Sequence, residues 1–161
     1  MTNQRGFTLM ELLLAIAVLA IVTTAALPAF NQFIQTNRLS GQSNELVTAL
    51  QFARSEALKR GEVVRVCASS DGEACGGNWN QGLIALVDPA DTAEVVRVWG
   101  APGDQIEFTP NGGSIDFLGN GFAAAALDLV LRSEYCPTDT DNARRVTVER
   151  TGRVASQREE C

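Results

Sequence analysis

The stretch Arg5-Gly6-Phe7-Thr8-Leu9-Met10-Glu11, followed by the apolar run of residues 12–27, decides how this chain is built. It places one carboxylate near the start of a segment that is otherwise apolar enough to cross a membrane. A carboxylate at bilayer depth costs at least about 2.5 kcal/mol on insertion scales, so an ionisable side chain there indicates a function and needs a partner. If the chain is cut after Gly6, the new α-amine of Phe7 lies one helical turn from Glu11. It is equally placed to meet Glu11 of a neighbouring chain.

Two simpler explanations compete with cleavage after Gly6. An ordinary secretory signal has an apolar core of roughly 7 to 15 residues followed by a small-residue cleavage site, and the apolar part is discarded. Here the break at Gly6 precedes the apolar run. A plain signal-anchor helix, in which Glu11 reaches toward the membrane interface, is the stronger alternative. Each position of the stretch is weak evidence alone, but the ordered set is specific.

This ordered set resembles the type IV prepilin signal, in which a short basic leader ends in Gly and is followed by an aromatic residue, a Glu at the fifth mature position and an apolar run. The resemblance implies that a membrane aspartyl prepilin peptidase cuts between Gly6 and Phe7 and that the Phe7 amine is then methylated. It implies that residues 7–27 hold the subunit in the bacterial inner membrane as a single pass, and later become fibre core. Pro28 fits as well, because a proline at this spacing marks a kink in type IV pilins.

Composition predicts a single exported domain behind that anchor. A length of 161 residues is about one domain, and a hydrophobic content of 45% suits one modest core. Four cysteines without any histidine or C-x-x-C pair favour disulfides in an oxidising compartment, here the periplasm and cell exterior. The common catalytic constellations are absent or unanchored, so we expect no enzyme activity, no metal and no cofactor.

The four cysteines allow three pairings, and the sequence alone leaves all three open. We favour pairing between sequence neighbours, Cys67 with Cys75 and Cys136 with Cys161. Chain-entropy estimates give about 2.5 kcal/mol for the first bond and about 3.5 kcal/mol for the second. The second bond would tie the last residue back onto the sheet.

Beyond Pro28 the all-round apolar pattern becomes one-sided. The residues at helical spacing that predict a buried face are Leu39, Leu46, Leu50, Ala53 and Ala57. Gly61 directly after Lys59-Arg60 predicts the end of the helix, because glycine takes the left-handed conformation cheaply and cations suit the negative end of the helix dipole.

After Gly61 the period drops to two and turn residues recur, which predicts antiparallel β-structure. The predicted strands are residues 63–68, 83–88, 95–99, 106–109, 114–118, 127–132 and 145–149, with a return strand after Thr151-Gly152. Turns are predicted at Asp88-Pro89, Ala101-Pro102-Gly103, Asn111-Gly112-Gly113 and Gly119-Asn120-Gly121. Residues 123–126 are left open between a short helix and a loop.

The fold class that follows is α+β and, by the resemblance, type IV pilin-like: a long N-terminal helix packed on an antiparallel β-domain of two sheets. We divide the chain into a leader (1–6), a transmembrane and fibre-core helix (7–30), an amphipathic helix on the head (31–61) and a periplasmic β-rich head (62–161).

The head narrows the resemblance to the FimT/GspH-type minor pilins and pseudopilins. The stretches that carry it are Ala53-Arg54-Ser55-Glu56-Ala57, Cys67 with its loop to Cys75, Trp79-Asn80-Gln81-Gly82, the strand ending in Asp88, and Gly152-Arg153. The resemblance implies a low-abundance subunit that joins other minor pilins and the major pilin in a priming or tip complex. The alternative within the same resemblance is a minor pseudopilin of a type II secretion system. From the residues themselves, we expect Trp79 in the core, and Arg54 and Glu56 as surface residues or helix-to-sheet partners.

A third possibility is DNA capture during uptake. Some relatives in this branch resemble DNA receptors that carry a C-terminal Gly-Arg-x-Arg-x-Arg run. Here Gly152-Arg153 is present, but Ala155 and Gln157 stand where the next two arginines belong. The net charge of −6 and the diluted run predict weak binding. The candidate DNA-binding residues are Arg144, Arg145, Arg150, Arg153 and Arg158.

Overall fold

The computed structural model describes residues 7–87, 93–134, 136–138 and 140–161, excluding the side chains of residues 25, 28 and 29. The chain divides into two compact units, one ending at Gln35 and the other spanning Thr36–Cys161. The predicted leader with Gly6, the turn at Asp88-Pro89 and the side chain of Pro28 lie outside the described residues. Cleavage after Gly6 and the kink at Pro28 stay predictions.

Within the described residues, one α-helix precedes eight strands. The helix, α1, spans Leu9–Arg60. The strands are β1 (Val64–Ala68), β2 (Leu83–Val87), β3 (Glu94–Trp99), β4 (Ile106–Pro110), β5 (Ser114–Phe117), β6 (Leu127–Ser133), β7 (Ala143–Val148) and β8 (Val154–Glu159), with one 3₁₀ turn at Trp79–Gln81. Residues 123–126 form a loop with an isolated bridge between Phe117 and Ala123.

The strands form two antiparallel sheets of four strands each, in the orders β3-β2-β1-β5 and β4-β6-β7-β8. In the first sheet Val66 of β1 lies between Ala85 of β2 and Ile115 of β5. In the second sheet β6, β7 and β8 follow one another as neighbours, so the chain folds there as a simple meander. The α+β prediction with two sheets is confirmed.

The part of α1 after Thr36 supplies one wall of the core. Its predicted stripe is buried throughout, from Leu39 to Ala57, and the residues Ser43 and Ala49 are buried with it. These side chains pack in one cluster with inward residues of both sheets, among them Val66 and Leu129. Since burying a leucine is worth about 1.5 to 3 kcal/mol, this stripe is a main source of the head's stability.

The helix ends where the sequence predicted. The Gly61 amide donates to the Ala57 carbonyl at 2.9 Å, and Gly61 has a φ of +72°, the left-handed conformation that closes a helix. In the last turn Lys59 and Arg60 both donate to Glu56, at 3.3 and 3.1 Å. The hydrogen bond from Arg60 is the main cause that lowers the pKa of Glu56.

Candidate functional site

The beginning of α1 carries the first candidate site. The Thr8 hydroxyl accepts the Glu11 amide at 3.2 Å, so Thr8 caps the helix and places Glu11 in its first turn. A carboxylate in the first turn is stabilised by the positive end of the helix dipole. The Glu11 side chain is exposed, and no ion pair to it is found among the described residues. Glu11 is therefore free to pair with a cation from outside its own folded chain.

The unit that ends at Gln35 leaves large apolar side chains uncovered. Their exposed fractions run from 53% at Val18 to 82% at Phe7. The set comprises Phe7, Leu9, Met10, Leu12, Leu13, Leu14, Ile16, Val18, Leu19, Ile21, Val22, Leu27, Phe30 and Phe33. A contiguous apolar surface of this extent is rare on a monomeric soluble protein and marks a protein or membrane contact.

Over the residues that the structure describes, no helical segment is both long enough and apolar enough to pass through a membrane. The span predicted for residues 7–27 stays a prediction.

Arg54 of the Ala53-Arg54-Ser55-Glu56-Ala57 stretch contacts the turn that contains Gly152. Its Nε donates to the Gly121 carbonyl at 2.9 Å and its Nη2 to the Thr151 carbonyl at 3.3 Å. Gly152 lies against the same guanidinium with a φ of +78°, and a Cβ there would come within 2.8 Å of the Arg54 Nε. Arg54 is thus a helix-to-sheet partner, and Gly152 is needed to let the β7–β8 turn approach it.

The Trp79-Asn80-Gln81-Gly82 motif joins the two sheets. Asn80 accepts the Phe108 amide at 2.7 Å and donates to the Phe108 carbonyl at 3.3 Å, so its side-chain amide pairs with β4 as a strand would. Trp79 is 2% exposed and belongs to the core cluster, as expected. The Gln81 side chain accepts the Asn78 amide at 2.9 Å and closes the turn. The motif has a structural explanation and offers no ligand site.

Both disulfides link sequence neighbours. Cys67 is bonded to Cys75 with a Cα separation of 5.6 Å, and Cys136 to Cys161 with a Cα separation of 5.4 Å. The Cys161 amide also donates to the Thr140 carbonyl at 3.0 Å. The disulfide and this hydrogen bond therefore hold Cys161, which follows β8, next to the residues that precede β7.

Arg144, one of the candidate DNA-binding residues, points into the head. It is 8% exposed and donates to the carbonyls of Asp141 and Ala143 at 3.1 and 2.9 Å. It also reaches the Ser40 hydroxyl of α1 at 3.3 Å. Burial lowers the pKa of this guanidinium, and the nearby positive charge of Arg158 adds to the effect. These contacts make Arg144 part of the joint between helix and sheet.

Arg145 faces the other side of the sheet and is held by two carboxylates. It binds both oxygens of Glu159, at 2.7 and 2.6 Å, and Asp128 at 2.7 Å. These hydrogen bonds raise the pKa of Arg145, and the same pairing lowers the pKa of Glu159. A phosphate would have to displace a bidentate carboxylate to reach this guanidinium.

The remaining three arginines are exposed but spread out. Arg153 is 72% exposed and lies 3.6 Å from Glu149, and Arg158 is 74% exposed and lies 3.8 Å from Asp141. Arg153 directly precedes β8 and Arg158 is the second-last residue of that strand, so their Cα atoms are roughly 17 Å apart at the usual strand rise. Arg150 is exposed in the β7–β8 turn. The structure does not bring the five candidates into one patch, and DNA binding stays a prediction.

No group of three or more His, Cys, Asp or Glu side chains suited to holding a metal ion occurs in the described part of the chain. Sequence reasoning placed Arg54 only as a surface residue or helix partner and gave Asn80 no role, although both lie within the motifs that carried the resemblance.

Two family models match the chain. One, described as type II transport protein GspH, matches residues 42–152. The other, the prokaryotic N-terminal methylation motif, matches residues 1–27. Together they cover residues 1–27 and 42–152.

Curated relatives come from fimbriae. A fimbrial protein of Dichelobacter nodosus is 30% identical over 140 residues, which is 84% of this chain and 80% of the relative. A type IV major alpha-pilin of Moraxella bovis is 42% identical over 59 residues, which is 35% of this chain and 37% of the relative.

Solved structures share the fold. The type IV minor pilin FimU of Pseudomonas aeruginosa aligns with a TM-score of 0.63 at 21% identity, over 78% of this chain and 92% of that one. The minor pseudopilin EpsH of the Vibrio cholerae type 2 secretion system aligns with a TM-score of 0.59 at 14% identity, over 75% and 97%. At these identities the likeness speaks for the fold alone.

Proposed function

The chain belongs to the GspH family of type IV pilin-like proteins, and from that premise we propose that it is a minor pilin. Such a low-abundance subunit joins other minor pilins and the major pilin in the priming or tip complex of a type IV pilus. Pilins and pseudopilins are structural proteins and not enzymes. The prediction of a FimT/GspH-type chain is confirmed.

The observation that carries the proposal is the exposed apolar surface of the unit ending at Gln35, whereas the other unit, Thr36–Cys161, has a core of buried side chains. Apolar side chains that are uncovered in the single chain need a membrane or other chains to cover them. The inner membrane serves this need before assembly, with the head in the periplasm, and neighbouring pilin helices serve it in the fibre. The Glu11 carboxylate, which has no ion pair among the described residues, then meets the Phe7 amine of a neighbour.

Processing is the first step of this function. A prepilin peptidase cuts between Gly6 and Phe7 and the new amine is methylated, as the match to the methylation motif over residues 1–27 supports. Mass spectrometry of the N-terminal peptide, from cells with and without the peptidase gene, tests this step. We expect a methylated Phe7 terminus only when the peptidase is present. An N-terminus at any other residue would contradict the proposed cleavage.

The pseudopilus remains the second candidate, and the match of residues 42–152 to the family model described as type II transport protein GspH favours it. The 30% identical fimbrial relative, which spans most of this chain, favours the pilus. Deletion of the gene separates the two. A pilus role predicts loss of surface pili and twitching with normal enzyme export, whereas blocked export with normal piliation would assign the chain to a secretion system.

A further inference from the structure

Two Asn-Gly pairs lie in turns of the head. Asn111-Gly112 lies between β4 and β5, and Asn120-Gly121 lies between β5 and β6. In such a pair the backbone nitrogen of the glycine can attack the side-chain carbonyl carbon of the asparagine. Glycine hinders this attack least because it has no Cβ and its backbone is the most adaptable. Whether the attack occurs in the folded chain depends on whether that nitrogen is free.

At the first pair the nitrogen is free. Gly112 is exposed, and its N–H has no hydrogen-bond acceptor among the described residues. The Asn111 Oδ1 accepts the Asp128 amide at 2.9 Å. A donor at this position polarises the carbonyl and stabilises the negative charge that develops on its oxygen during attack.

At the second pair the side chain is similar but the nitrogen is occupied. The Asn120 Oδ1 accepts the Phe122 amide at 3.0 Å. The Gly121 N–H, however, donates to the Leu118 carbonyl at 2.7 Å, and Gly121 is buried against Leu58. Attack at Asn120 therefore requires the turn to open first.

We propose that Asn111 is a site of spontaneous deamidation in the folded protein and that Asn120 is protected from it. The Gly112 nitrogen loses its proton to a solvent base and bonds to the Asn111 Cγ. The Cγ–Nδ2 bond then breaks, and the side-chain nitrogen takes up a proton and leaves as ammonia. Water opens the resulting succinimide at either carbonyl, which yields aspartate or isoaspartate.

Conversion of Asn111 to aspartate or isoaspartate changes a residue that is hydrogen-bonded to Asp128. The Asn111 amide donates to the Asp128 carbonyl at 2.9 Å, and isoaspartate inserts an extra carbon into the main chain between this bond and Gly112. A new negative charge also appears beside Asp128, whose carboxylate holds Arg145 at 2.7 Å. Deamidation thus loosens the start of β6. This inference does not depend on the proposed function.

Peptide mapping by mass spectrometry tests the proposal on the full chain, purified in detergent and incubated in mildly alkaline buffer. Tryptic cleavage leaves both asparagines in the peptide of residues 98–132, so further cleavage with chymotrypsin after Phe117 is needed to separate them. We expect the mass change of an amide-to-acid conversion, with isoaspartate, on the Asn111 peptide. Its rate should exceed that at Asn120 on the order of tenfold, the factor set by opening one buried hydrogen bond.

Two controls define the outcome. Gly112→Ala places its Cβ in ordinary contact, 3.8 Å from Leu127, and should slow the reaction at Asn111 severalfold without disturbing the fold. In denaturant, where no turn is formed, the two asparagines should react at similar rates. An unmodified Asn111 in the folded chain, or equal rates at both sites there, would overturn the proposal.

Discussion

The two parts of α1, before Gln35 and after Thr36, are both helical but differ in the exposure of their apolar side chains. The first part leaves all its leucines exposed, and all its isoleucines except the half-buried Ile34, whereas the second buries Leu39, Leu46 and Leu50 completely or nearly so. Helix formation is therefore not what separates them. The first part has apolar side chains that the described part of its own chain leaves exposed, and the second has an apolar face that is covered by the sheets of the head.

The second part itself makes polar contacts as well as apolar ones. Near its start the contacts with the sheet include polar ones: the Ser43 hydroxyl lies 2.7 Å from that of Ser156, and Ser40 accepts from Arg144 at 3.3 Å. Further on, from Leu46 to Ala57, most of the contacts are apolar, and Arg54 adds hydrogen bonds to the carbonyls of Gly121 and Thr151. Leu39 belongs to the same core cluster, so apolar contacts hold the helix on the head along its whole second part.

The largest effect is expected for a core leucine. Leu50→Ala should lower the free energy of unfolding of the head by about 2 to 5 kcal/mol, because the side chain is fully buried and its loss leaves a cavity. Urea titration of the full chain in detergent, followed by fluorescence of the buried Trp79 and Trp99, measures this. The matched control is Leu13→Ala, which should leave the titration unchanged. An equal loss in the control would erase the distinction between the two parts of α1.

Next in size is the Cys136–Cys161 disulfide. Replacing both cysteines by serine should cost about 2 to 4 kcal/mol of unfolding free energy in the same titration, because the released chain gains conformational entropy. The sequence separation is 25 for this bond and 8 for Cys67–Cys75. Removing the Cys67–Cys75 disulfide should therefore lower the unfolding free energy by less. If removing Cys67–Cys75 lowers the unfolding free energy more than removing Cys136–Cys161, then strain or packing, and not the entropy of loop closure, determines how much each disulfide stabilises the head.

A smaller effect is expected for Arg54. Arg54→Ala leaves the carbonyls of Gly121 and Thr151 without their donor and should cost about 1 to 3 kcal/mol. Gln51→Ala, an exposed position one turn earlier on the same helix, should change the titration by less than about 0.5 kcal/mol. If both variants behave alike, Arg54 does not join the helix to the sheets.

The smallest effect concerns the exposed arginines. The head from about Thr36 onward should shift DNA in a gel only weakly and only at low salt, because its net charge is negative and its exposed arginines are dispersed. The triple variant Arg150→Ala, Arg153→Ala and Arg158→Ala should remove what shift there is. No shift of the unaltered head at low salt would exclude DNA capture through these residues. A strong shift that survives physiological salt would show that the dispersed arginines act together.

Much of the fold follows from the sequence because it rests on local patterns. The helix stripe from Leu39 to Ala57, the stop at Gly61 and the alternation in the strands each depend on residues within a few positions of one another. The acceptors of Arg54 are backbone carbonyls far along the chain, and Asn80 pairs with Phe108 across a gap between sheets. No local pattern marks such partners.

The alternation of side chains along a strand could have separated Arg144 from Arg145 before the structure was known. The predicted strand of residues 145–149 begins at Arg145 and leaves out Arg144, whereas β7 spans Ala143–Val148 and contains both arginines. Because side chains alternate along a strand, the two arginines lie on opposite faces of the sheet. One of them had to face the helix, and the structure shows that it is Arg144. The acidic partners of Arg145 lie on neighbouring strands and depend on register, which the sequence does not reveal.

Incorporation of Glu11→Ala into fibres tests the central claim most directly, namely that the part of α1 before Gln35 serves contacts between chains and the part after Thr36 serves the head. The variant is expressed in a strain that lacks the native gene, with Glu45→Ala, an exposed carboxylate on the second part of α1, as the matched control. We predict that Glu11→Ala is cleaved and inserted in the membrane normally but is strongly depleted from sheared fibres, while Glu45→Ala is incorporated at the native level. Native incorporation of Glu11→Ala with normal piliation would contradict the claim.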